Sequence, residues 1–192
     1  MARTPIDKNS RLYLSAKVQG ARNMILTILL FTIVNLVLRV AGTDMYFLYS
    51  ASIPYYMTLI CIFLDNGWPA RDISNVDLHL GKFAAIALVI SAIILAVYLV
   101  CWLISKKNNV GLTVAMILFA LDVLALGVLL ALLVRNNLVD NVTPWIIDAL
   151  IHLLIGRNLV NGVAAAAKLK KLPAEPGTVP TEPQRPTASP EF

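Results

Sequence analysis

VGLTVAMILFALDVLALGVLLALLV, residues 110–134, holds one charged residue, Asp122, at its middle. Crossing the hydrocarbon core of a bilayer takes about 20 mainly apolar residues. No water is available there for backbone groups, so a crossing segment must be helical. Two similar stretches, Met24–Leu38 and Phe83–Ile104, are as apolar, and two weaker ones, Tyr46–Leu64 and Val142–Ile155, carry polar interruptions. The expected fold is all-α: a polytopic membrane helical bundle of five apolar helices, four of which cross fully.

Composition agrees. The chain is 58% hydrophobic and 14% charged, well below the roughly 25% charge of soluble domains. The longest connection, Asp65–Gly81, leaves no room for a soluble domain. Residues 1–22 read as a basic cytoplasmic segment lying as a frayed interfacial helix, 23–172 as the transmembrane bundle, and 173–192 as a disordered proline-rich tail. The first apolar run has the outline of a signal sequence. Its length, and Arg39 and Asp44 directly after it, make it an uncleaved anchor.

The net charge of +5 does not point to nucleic acid, because the basic residues gather at the ends of apolar stretches. The partners implied are the lipid bilayer and other membrane proteins or a second copy of the chain. Lysine and arginine are retained on the cytoplasmic side. With all five stretches crossing, the count is eight inside against six outside. If Tyr46–Leu64 does not cross, Arg3, Lys8, Arg11, Lys17, Arg22, Lys106, Lys107, Arg157, Lys168, Lys170 and Lys171 lie inside, against Arg71, Lys82 and Arg135 outside. If the last stretch stays at the inner surface instead, the bias is similar. Both four-crossing schemes put the two termini in the cytoplasm. Pro54 and the crowd of tyrosines favour the first scheme, in which Tyr46–Leu64 is re-entrant, oblique or kinked at Pro54. Tyr46, Tyr55, Tyr56 and Trp68 are expected as interfacial anchors.

The informative residues are those that break the apolar pattern. A carboxylate at mid-membrane costs about 2.5–3.5 kcal/mol on insertion scales, so Asp122 needs a partner, a proton or a cavity. Arg157, His152, Arg39 and the amide of Asn35 are the candidate partners. Asp148 and His152, four residues apart, share a helical face, with Arg157 rotated away from them. Asp122, Asp148, His152 and Asn35 then form either a polar clamp that fixes helix packing or a proton or ion path. The first makes the protein a structural or interaction component and not an enzyme. The second makes it a small transporter or channel subunit using intramembrane Asp122 and His152.

Catalysis has little support: no serine or cysteine lies in a G-x-S-x-G setting, and no metal-ligand spacing is present. No cofactor is implied. Cys61 and Cys101 sit in apolar stretches as small packing residues. Ala84, Ala85, Ala87, Ser91, Ala92 and Ala96 are expected to form one close-packing face of the third stretch. Ala115, Ala120, Ala125, Gly127 and Ala131 are expected to do so for the fourth.

Several strings carry a resemblance. They are Tyr46–Tyr56 (YFLYSASIPYY) after a Gly-Thr-Asp turn, Phe119-x-x-Asp122, and Ile147-Asp148-x-x-x-His152 leading to Gly162 and Lys168–Pro173. In these, most of the chain resembles a group of small uncharacterised integral membrane proteins of Gram-positive bacteria. The resemblance implies a bacterial plasma membrane and leaves the substrate open.

Overall fold

A computed structural model describes residues 10–43, 45–68, 79–136 and 143–173. Among them the chain is all-helical, with α1 Arg11–Val40, α2 Ser52–Asp65, α3 Lys82–Ser105, α4 Val110–Arg135 and α5 Thr143–Leu169. All but α2 are long and apolar enough to cross a membrane. With 14 residues, α2 extends only about 21 Å, short of the roughly 30 Å core.

The four long helices form a ring in which α1 lies beside α5, α5 beside α4, α4 beside α3 and α3 beside α1. Arg11 donates to the carbonyls of Leu172 and Pro173 at 3.1 and 2.9 Å, so α1 begins and α5 ends at the same end of the bundle, its base. Four crossings follow, with α2 wedged into the opposite, upper half against α3, α1 and α4. The alternative in which the last stretch stays at the surface does not fit α5, which runs alongside α1 and is long and apolar enough to cross.

The chain reverses after α1 at a left-handed glycine. Gly42 has φ 74°, and the amides of Gly42 and Thr43 return to the carbonyls of Arg39 and Leu38 at 3.1 and 3.0 Å. This is the paired closure favoured at a helix C-terminus, where only glycine takes the conformation freely. Residues 46–51 then descend without helical structure towards mid-depth, and α2 climbs back. Gly67 (φ 91°) closes α2 in the same way. The second stretch is thus re-entrant. Pro54 does not kink a span: it lies in the first turn of α2, where its missing N–H is no loss.

Other boundaries differ from expectation. Residues 11–22 are not a separate interfacial segment but the first turns of α1, with Leu14, Val18 and Ala21 buried. Their apolar spacing continues the stripe that faces α5. On α3, Ala84, Ala87 and Ser91 are buried, whereas Ala85, Ala92 and Ala96 face outward. The small residues therefore occupy two faces, because adjacent positions are 100° apart. On α4 only Ala115 of the expected set is buried. The close approach falls on Gly111, which faces the backbone of Cys101 and Ser105. The proline-rich tail after Pro173, the first nine residues and the connections 69–78 and 137–142 lie outside the described residues.

Candidate functional site

A non-helical segment inside a membrane protein has backbone groups with no ladder to join, and each must be satisfied by side chains or cost several kcal/mol. Residues 46–53 meet this need from three surrounding helices. Asn35 on α1 grips Phe47 twice: its Oδ1 accepts the Phe47 amide and its Nδ2 donates to the Phe47 carbonyl, both at 2.8 Å. The same Nδ2 reaches Ser50 Oγ at 2.8 Å. Thr32 Oγ1, one turn before Asn35 on the same face, accepts the amide of Ala51 at 2.8 Å.

Asp122 completes the set. Its Oδ2 accepts the amide of Ser52 and its Oδ1 that of Ile53, each at 2.7 Å. These are the first amides of α2, and the residue before them, Ala51, has no side chain to cap them. A carboxylate here satisfies two orphan donors and faces the positive end of the helix dipole.

His152 fills the remaining side. Its Nε2 lies 2.9 Å from Ser52 Oγ, 3.0 Å from the Ser50 carbonyl and 3.9 Å from Asp122 Oδ2. Its Nδ1 lies 2.8 Å from the Asp148 carbonyl and 3.2 Å from Asp148 Oδ1. Carbonyls accept only, so a ring donating from both nitrogens satisfies both. Phe119, one turn before Asp122, stacks on the imidazole with 5.6 Å between centroids. Asn35, Asp122, Asp148 and His152 are all 2% exposed or less.

The four expected polar residues therefore meet at one centre, where His152 lies between Asp122 and Asp148, 3.9 and 3.2 Å from their carboxylates, and Asn35 serves the re-entrant backbone instead. Of the candidates for Asp122, His152 is the one that reaches it, while the carboxylate's hydrogen bonds go to backbone amides. Arg157 is exposed on α5, and Arg39 packs over Phe63 near the top of α1, 5.8 Å from the ring. Sequence could not reveal this pairing, because backbone donors are the same at every position. The visible signal was Ser50 and Ser52 amid the tyrosines, which the polar centre absorbs.

Ser52 Oγ, His152 and Asp148 lie in the order of nucleophile, base and orienting acid. The two amides that would stabilise an oxyanion at Ser52 are occupied by Asp122, whose charge opposes a second anion there. Among the described residues, no group of His, Cys, Asp and Glu side chains is arranged to hold a metal ion.

The aromatic anchors also converge in part. Tyr46 packs on Tyr55 at 4.5 Å, Tyr55 meets Tyr56 edge-on at 5.1 Å, and Tyr56 stacks on Trp145 of α5 at 5.1 Å. Trp68 sits apart, after the end of α2. A second carboxylate repeats the trans-capping device at the top: Asp65 accepts the amides of Phe83 and Ala84 at 3.1 and 2.7 Å, capping α3 from α2. No known family, curated protein or solved structure matches the chain.

Proposed function

We propose that this is a multi-pass protein of the bacterial plasma membrane, with both termini cytoplasmic, acting as a structural or interaction component and not as an enzyme. The reading rests on one observation: both oxygens of Asp122 are bonded to the amides that open α2, in a centre buried from every side. A carboxylate so bound holds a re-entrant segment in place. Two of its roughly four lone-pair sites are taken by those amides, and the group is 2% exposed. The orientation rests on the basic residues: among the described ones Arg11, Lys17, Lys106, Lys107, Lys168, Lys170 and Lys171 lie towards the base, against Arg39, Lys82 and Arg135 towards the top. The upper face, carrying the aromatic cluster, is then the one offered to partners.

A small transporter or channel subunit is the second reading, favoured by a helix that starts at mid-depth, as discontinuous helices do in transporters. Reconstituted proteoliposomes separate the two. The clamp reading expects no proton or ion flux from the wild type, and an Asp122→Asn protein that is less stable. A flux abolished by Asp122→Asn in a protein of unchanged stability overturns it. A serine-directed fluorophosphonate is expected to leave Ser52 unmodified; labelling there would make the protein a hydrolase. Single cysteines in a Cys61→Ala, Cys101→Ala background test the topology. From outside intact cells, His79→Cys should label and Asn108→Cys should not.

A further inference from the structure

α2 and α5 do not approach backbone to backbone. The gap between them, about 290 Å³, is walled by Tyr46, Tyr55, Tyr56 and Trp145 and shared with Asp148. An aromatic belt at the headgroup level would account for the rings, but not for a carboxylate set among them. Asp148 is 98% buried. Its carboxylate receives a long contact from the Tyr46 hydroxyl at Oδ2, 3.5 Å, and has the Tyr56 hydroxyl beside it, while its buried Oδ1 accepts no hydrogen bond. His152 Nδ1, 3.2 Å from that oxygen, directs its hydrogen to the Asp148 carbonyl at 2.8 Å.

We propose that this pocket binds an alkylated ammonium group, such as the trimethylammonium of choline or of a choline headgroup. Ring faces attract a cation within about 6 Å through their quadrupole, and quaternary ammonium groups are held in aromatic cages of this kind. Asp148 supplies the counter-charge. A primary ammonium carries three hydrogens that each need an acceptor, and apart from Asp148 and the tyrosine hydroxyls the walls are ring and aliphatic carbon, with Leu48, Leu59 and Pro144 beside the rings. Methyl groups need only the ring faces. The volume lies at the small end of ligand pockets, which suits a headgroup and not an extended molecule. The proposal rests on the interaction reading above, for which it names a partner class, but not on the Asp122 clamp.

The test uses full-length protein in maltoside micelles with Trp68→Phe and Trp102→Phe, leaving Trp145 as the reporter. Choline is expected to change Trp145 emission saturably. Its neutral carbon isostere, 3,3-dimethylbutanol, should need at least tenfold more. Asp148→Asn should weaken choline binding at least tenfold, and Tyr56→Leu, which removes a ring face, should do the same. Nanodiscs of phosphatidylglycerol with and without phosphatidylcholine then identify the source. A response to phosphatidylcholine but not to free choline means a lipid headgroup, and a response to free choline means a soluble ligand.

Equal responses to choline and the isostere, or none to choline and to phosphatidylcholine, overturn the proposal. That comparison needs no site variant, so it stands even where Asp148→Asn does not fold. A choline-blind pocket in a protein with no ion flux would sink this inference and leave the clamp reading intact.

Discussion

Asp122, halfway along α4, accepts the backbone amide of Ser52 at 2.7 Å, so one membrane helix caps the N-terminus of another at the centre of the bundle. An N-cap is ordinarily supplied by the residue just before the helix. At Ala51 none is available, and the cap comes from 70 residues away. The arrangement ties the position of α2 to that of α4 and makes the re-entrant segment a dependent of the long helices.

Asp122→Ala leaves the amides of Ser52 and Ile53 buried without acceptors. An unsatisfied buried donor costs about 1–3 kcal/mol, so the variant should lose about 3 kcal/mol, read as a lower unfolding midpoint in micelles. Hydrogen exchange should rise first at residues 50–53 while the cores of α3 and α4 stay protected. Uniform loss of protection across all five helices would show that Asp122 does not act through α2.

The hydroxyl of Tyr98 on α3 is buried and makes no hydrogen bond, while its ring is part of the buried apolar core. Removing a desolvated, unpaired hydroxyl and keeping the ring is neutral or favourable. Tyr98→Phe should therefore match or exceed the wild type, by up to about 1 kcal/mol. A clear loss of stability would mean that the hydroxyl has a partner in the membrane.

The four crossings were legible because each is a long apolar run, and the re-entrant nature of the second stretch was legible as one alternative, from Pro54, the tyrosines and the placement of lysine and arginine. The clustering of Asn35, Asp122, Asp148 and His152 could also be anticipated, since isolated polar residues in lipid-facing sequence must find each other or something polar. What they found could not. Asp122 was expected to seek a side chain, and His152 does lie 3.9 Å from it, but its hydrogen bonds go to two amides, which no letter of the sequence marks. Asp65 read as the start of a loop because its role depends on where Phe83 and Ala84 fall in space. Packing faces were misread on α3 and α4, since small residues are common in apolar helices and only some of them meet a neighbour.

The second trans cap carries a pH signature. Partial burial pushes the Asp65 carboxyl up, but the backbone amides of Ala84, Phe83 and Gly81 outweigh it and hold the group below its ordinary value, which is near 3.9. A carboxylate lowered by folding contributes stability in full above its unfolded-state value, and loses that contribution as the pH falls through the folded-state value. The stability gap between wild type and Asp65→Asn should be constant from pH 8 to about 5 and close below pH about 4. Gly81→Ala would set a methyl group against the Asp65 carboxyl, and should reproduce the loss at neutral pH. A gap that widens on acidification would contradict the cap.

At the base, α1 and α5 meet at Gly162, where an added Cβ would collide with the side chain of Ala21 and touch Leu112. Small residues of this kind set how closely two membrane helices approach. Gly162→Val must push α1 and α5 apart or strain both, which costs about 1–3 kcal/mol by analogy with overpacked cores. Ala21→Gly removes the atom in the way, so the double variant should recover part of the loss, a coupling of about 0.5–3 kcal/mol in a double-mutant cycle. Because the polar centre lies well above this seam, amide protection at residues 50–53 should be unchanged in all three variants. Additive effects in the cycle would show that the two residues do not touch, and would remove the antiparallel α1–α5 pairing on which the common placement of the helix ends depends.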